Sequence, residues 1–346
     1  MVRPHALLRV GSIYEKTLGM RRLTNTPVDL VIGKDGDLHI LSRGDDLSFI
    51  RRLSFNDDDL GAFNLSGGGG QVGGTSKVDG HFVWPCALIM DSEENLWVSD
   101  EATHKISCIT REGKMVSQWG EHVDADGQLN RPSGLAFDGN GDIFVADTLN
   151  HRIQKFTTDG TFLLNWGKQG SGEGEFDMPW GVAIDELGDV YVSDWRNDRI
   201  QKFSSDGEFI FKFGKSGSRD GEFNRPSGIE VDSDGDIFVA DWTNHRVQLF
   251  GSDGHFVEKF IGDATLSRQA RDYMTSNVMA LRLREMSSLE PQKRLRWPTA
   301  VRVVDGRIYI ADYGSMRIQV YRKEAYPLGP DEISDAPRSN TLFTQF

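Results

Sequence analysis

The feature that most constrains this chain is a spacing. Pro85, Pro132, Pro179 and Pro226 stand 47 residues apart, and each opens a near-copy of one segment. RPSGLAFDGNGDIFVADTLNHRI begins at Arg131, MPWGVAIDELGDVYVSDWRNDRI at Met178 and RPSGIEVDSDGDIFVADWTNHRV at Arg225. WPCALIMDSEENLWVSDEATHKI precedes them from Trp84. WPTAVRVVDGRIYIADYGSMRI follows from Trp297, with its proline 25 residues later than the period requires. A diverged copy, TPVDLVIGKDGDLHILSRGDD, starts at Thr26. Six copies at a period of about 40 to 50 residues predict a propeller.

Each copy reads as four short strands. In the third, Gly134–Phe137, Asp142–Ala146, Arg152–Thr157 and Thr161–Trp166 alternate apolar residues, and turns rich in Asp and Gly separate them. The expectation is an all-β, closed six-bladed β-propeller within residues 1–325. The N-terminal segment HALLRVGSIYEKTLG resembles the outer strands of later copies, such as FLLNWGKQGSGEG. It is therefore expected to close the last blade and remove the open sheet edges. Residues 56–80 read as a flexible insertion and 326–346 as a tail. A second insertion, 263–296, has helical spacing at Met279, Leu283 and Met286 and is locally basic.

The totals exclude some functions. Thirty-nine basic against 52 acidic residues give a net charge of −13, which weighs against a phosphate backbone as partner. No apolar run is long enough to span a membrane. Two cysteines, Cys86 and Cys108, cannot build a disulfide framework. With an N-terminus that lacks a secretory apolar core, a cytoplasmic protein is expected.

The repeat P-x-G-[LVI]-x-[FIV]-D-x-x-G-D-[IV]-[FY]-V-[AS]-D-x-x-N-[HD]-R-[IV]-Q-K-F resembles the NHL-repeat family over about residues 24–322. That resemblance implies a six-bladed propeller, a fold that serves binding modules, RNA binders and enzymes alike. The layout is similar to that of peptidyl-α-hydroxyglycine α-amidating lyases. SRGDD at Ser42–Asp46 matches their Arg-Gly-Asp segment, which implies a place near substrate for Arg43. Those lyases hold zinc with histidines just after the blade-opening prolines. Here the matching residues are Val28, Cys86, Ser133, Trp180, Ser227 and Thr299, so no metal or other cofactor is expected.

The recurring Asp100, Asp147, Asp194, Asp241 and Asp312, with Arg152, Arg199, Arg246 and Arg317 five residues after four of them, read as structural because every blade carries them. His151 and His245 share a slot that holds Asp198 in between, which argues against a catalytic base. The turns DGNGD and DSDGD lack the rest of a calcium loop. What differs between blades carries more information. Glu101, Thr148, Trp195, Trp242 and Tyr313 follow the strand-end aspartates and are expected at one channel mouth. With Arg43 and Trp180, the residues Glu101, Trp195, Trp242 and Tyr313 would form a ligand box. The expected function is non-catalytic binding of a small molecule or protein segment there. Alternatives are a lyase or hydrolase using Arg43, Cys86, Glu101 and His81, and an RNA-binding module.

Overall fold

The computed structural model describes residues 8–20, 23–44, 48–65, 75–77, 82–276, 282 and 289–327. The repeats form six four-stranded antiparallel sheets, one per repeat, with a short parallel strand added at the edge of blade 1. Blade 3 is representative: Pro132–Phe137 lines the axis, and Ile143–Asp147, Arg152–Phe156 and Phe162–Trp166 follow outward. Blades 2, 4 and 5 repeat this order from Pro85–Met90, Pro179–Ile184 and Pro226–Val231. In blade 6 the order from the axis is Pro298–Val304, Arg307–Asp312, Arg317–Pro327 and then Leu8–Gly19. The N-terminal strand thus closes the ring as expected.

Each blade buries its two faces against its neighbours. Six apolar clusters result, one at every blade interface. Phe144, Ile153, Val190 and Phe203 fill the seam between blades 3 and 4, and Leu18, Leu30, Ile40 and Ile318 fill the closing seam between blades 6 and 1. A fully buried Leu, Ile or Phe contributes about 1.5–3 kcal/mol, so these seams supply most of the cohesion.

The span 56–80 differs from its expectation. Asp59–Asn64 is the fourth strand of blade 1, and Thr75–Lys77 adds a fifth in parallel. The proposed helical spacing of Met279, Leu283 and Met286 lies outside the described residues. The longer helix described in that insertion, α1 (Arg268–Thr275), lies earlier and is capped by Ser267, whose Oγ accepts the N–H of Ala270. Ser267 also donates to the carbonyl of Gly19, while Asp57 accepts the N–H of Gln269. These bonds fasten α1 to the outer edge where blade 6 meets blade 1. No helix among the described residues is long and apolar enough to cross a membrane.

In blades 3 to 5 a glycine two residues after the blade-opening proline, Gly134, Gly181 or Gly228, sets the channel width. A Cβ on Gly134 would lie 2.4 Å from the carbonyl oxygen of Trp180, and one on Gly181 2.3 Å from that of Ser227. Only glycine lets adjacent inner strands approach so closely. The channel is correspondingly narrow.

Candidate functional site

The strand-end aspartates are hubs rather than catalysts. Asp147 accepts the backbone N–H of Asn130 on one oxygen, and the Asn150, Arg152 and Gln154 side chains converge on the other at 2.9 Å. Arg152 then donates to the carbonyls of Ala125 and Gln128, fixing the incoming loop. Asp194, Asp241 and Asp312 repeat the same pairing with Arg199, Arg246 and Arg317. His151 Nδ1 accepts the N–H of Met178, and His245 Nδ1 that of Trp297. Both histidines therefore join one blade to the next.

The positions after the prolines are also fasteners. Ser133 Oγ donates to the carbonyl of Trp180 at 2.8 Å, and Thr299 Oγ1 to that of Pro27 at 3.1 Å. Thr148, expected at the mouth, is instead wholly buried. Its short side chain sits beneath the mouth, paired with Ser133 Oγ and donating to the carbonyl of Pro179.

Three of the sequence candidates do meet at the mouth. Arg43 Nη1 lies 3.2 Å from Cys86 Sγ, and the Cys86 thiol donates to Glu101 Oε2 at 3.4 Å. Burial pushes the Cys86 thiol well above its usual range, with the Glu101 carboxylate adding to the effect and Arg43 opposing it. The thiol is therefore protonated at neutral pH. Trp84 joins them: the Arg43 guanidinium lies 4.4 Å from its ring centre, and the indole remains 38% exposed. Glu101 is further approached by Arg131 at 3.6 Å. His81 lies outside the described residues.

Across the channel, Trp180 and Trp195 have ring centres 6.1 Å apart, and the Arg225 guanidinium lies 4.4 Å above Trp195. Arg43, Cys86 and Trp180 all line a small axial cavity of about 60 Å³, enough for water or the tip of a ligand. Trp242, on blade 5, is half-buried and does not line that cavity. Tyr313 packs against the apolar cluster between blades 1 and 2, so its ring is partly committed to structure. Among the described residues, no histidine lines the cavity, whose donor groups are one thiol, the Thr299 hydroxyl, the Asp29 carboxylate and two guanidiniums.

The floor of that cavity was not anticipated. Arg302 donates to Asp29 Oδ2 at 2.8 Å and to Glu230 at 3.2 Å, and its Nε donates to the carbonyl of Leu30. Asp29 also accepts the N–H groups of Leu30 and Leu88. The sequence held a signal for this plug. Asp29 stands where blades 3 to 5 have glycine, and Glu230 and Arg302 occupy a slot that is aliphatic in the other four blades.

The NHL repeat family is matched at residues 129–156, 176–203, 223–250 and 295–321. No curated protein matches the chain. Among solved structures, the chain is similar to a catalytically inactive variant of virginiamycin B lyase from Staphylococcus aureus with Quinupristin. The identity is 14%, coverage is 94% of this chain and 90% of that one, and the TM-score is 0.55. It is also similar to a protein of unknown function from Bacteroides thetaiotaomicron, at 15% identity, with coverage of 92% and 76% and a TM-score of 0.60. At such identities the likeness concerns the fold.

Proposed function

We propose, from the premise that the chain is an NHL-repeat β-propeller, that it works by binding: the mouth bearing Arg43, Trp84, Trp180 and Trp195 grips an anionic group carried on a flat apolar body. The observation that carries this reading is the stacking of Arg43 on Trp84 and of Arg225 on Trp195. A guanidinium laid on an indole still presents its in-plane N–H groups to a carboxylate or phosphate, and Arg43 holds its Nη1 against the Pro85 carbonyl and Cys86 Sγ. Among the described residues, neither arginine pairs with a carboxylate. The indoles supply contact area for the rest of the ligand, either a small molecule or the end of a protein segment.

The competing reading is a lyase or hydrolase at Arg43, Cys86 and Glu101. The three converge, which supports it, but a buried, protonated thiol is a poor nucleophile. An RNA-binding reading has against it the net charge of −13.

Titration with benzoate, phenyl phosphate and neutral benzamide, followed by tryptophan fluorescence, tests the proposal. Both anions should quench and benzamide should not, and Arg43→Ala or Trp195→Ala should abolish the response. Equal binding of benzamide, or an undiminished response in both variants, would overturn it.

A further inference from the structure

The opposite end of the channel opens into a second bowl, of about 300 Å³, to which all six blades contribute. Its wall is made by the last residues of the inner strands, among them Ile32, Met90, Phe137, Ile184 and Val304. Its floor is the plug: Arg302 between Asp29 and Glu230. Two carboxylates face one guanidinium there, so the floor carries an excess negative charge when both are ionised. Asp29 is fully engaged by Arg302 and two backbone N–H groups. Glu230 is less committed: it keeps a quarter of its side chain exposed and lines the bowl.

The rim has the same sign. The turns that follow the inner strands, residues 33–37, 91–95, 138–142, 185–189, 232–236 and 305–306, hold fourteen acidic residues and one lysine. Lys155, Lys202, Lys323, Arg52 and Arg111 reach in from other strands and neutralise only part of that charge. Glu93, Glu186 and Asp305 remain exposed. The two mouths are therefore opposite in character, one arginine-bearing and one acidic.

We infer that this acidic mouth is a second binding site, for a small organic ammonium: an amine on a short apolar body, its head on Glu230 and its body against the aliphatic wall. The volume falls at the lower end of small-molecule sites, which span roughly 300–1,000 Å³. A field that focuses on a low-dielectric bowl concentrates cations there. The plug separates this bowl from the arginine-bearing mouth, so the inference stands independently of the function proposed above.

Calorimetric titration of the full chain at neutral pH with hexylammonium, hexanol and hexanoate tests it. Hexylammonium should bind at least about tenfold more tightly than hexanol, a gap of about 1.4 kcal/mol, and hexanoate should not bind. Glu230→Gln should remove the preference for the amine, whereas Trp195→Ala at the far mouth should leave it intact. Methyl resonances of Ile184 and Val304 should shift with hexylammonium in the unsubstituted protein, which reads the site even if Glu230→Gln fails to fold. Equal affinity for hexanol, no binding, or shifts confined to residues at the Trp195 mouth would each overturn the inference.

Discussion

Asp198 accepts the backbone N–H of Arg225 at 2.7 Å, joining the residue just before blade 4's third strand to the one that precedes the opening proline of blade 5. His151 does the same for Met178 at 3.1 Å, and His104 for Arg131 at 3.0 Å. Acceptor and recipient both adopt positive φ: 51° at Asp198 and 60° at Arg225. Such residues are costly unless held, and this bond holds both. In blades 2 to 5 the slot holds an acceptor that tolerates left-handed backbone, Asp or His, while blade 6 has Met316 there with φ of 54°.

Asp198→His should consequently change unfolding free energy by no more than about 0.5 kcal/mol. Asp198→Ala removes the acceptor and leaves a left-handed residue without its bond, at a cost of about 1–2 kcal/mol. Denaturant melts of the two variants check the contrast. Equal destabilisation would show that the histidine slot has a role beyond this bond.

The aspartate hubs should be far more costly to remove. Asp194 is fully buried and takes the N–H of Asp177, with Asn197 and Arg199 at 2.9 and 2.8 Å on its other oxygen. Asp194→Ala leaves Arg199 with an unpaired buried charge, which costs about 3–5 kcal/mol. Arg131→Ala, which breaks a loose contact with Glu101 at a half-exposed side chain, should cost less than about 1 kcal/mol. Thermal or denaturant melts separate them.

The fold was legible because repetition turns weak local signals into a strong one. Pro, Gly, Asp and Arg at fixed offsets in successive copies give the blade, its hub and its narrow inner strand. Of the bulky departures from the repeat, Trp180 and Trp195 come together, with ring centres 6.1 Å apart and planes tilted by 34°. The mouth was misjudged at Thr148, because a position beneath it looks identical in sequence to one on it. The plug went unread for a related reason. Asp29, Glu230 and Arg302 lie in three different copies, and only closure of the ring brings them within hydrogen-bond reach.

Lys323 shows how a neighbouring blade can compensate for a lost residue. In blades 3 and 4, Lys155 and Lys202 on the third strand pair with turn acids of their own blade. In blade 5 the equivalent residue is Leu249, and Lys323 from blade 6 reaches Asp232, Asp234 and Asp236 instead. These carboxylates lie within 4.8 Å of one another, so without the ammonium they repel. Lys323→Met should lower the melting temperature by several degrees, in line with a loss of roughly 1–3 kcal/mol. Millimolar calcium, an oxygen-seeking cation, should restore part of that loss in the variant and not in the unsubstituted protein. An identical response to calcium in both would refute the assignment.

Glu230 gives the plug a pH signature. Burial raises its carboxyl from 4.5 to about 6, and Asp29 adds to the rise while Arg302 opposes it. Between those two values the folded chain binds a proton that the unfolded chain does not, so this group's contribution is full below 4.5 and lost as pH rises through about 6. The shift corresponds to about 2 kcal/mol. Buried His39 acts in the opposite sense. Its imidazole is held down to about 4, chiefly by burial, so folding stability from that residue falls as pH drops below its ordinary value. A simple pH profile would mix the two. The difference between the unsubstituted protein and Glu230→Gln isolates Glu230, since His39 is common to both. That difference should move toward the unsubstituted protein as pH falls from about 6 to 4.5, by an amount of order 2 kcal/mol. A difference that stays flat across that window would mean that Glu230 is not held in a desolvated, acid-rich floor, and the electrostatic basis for the second mouth would fail with it.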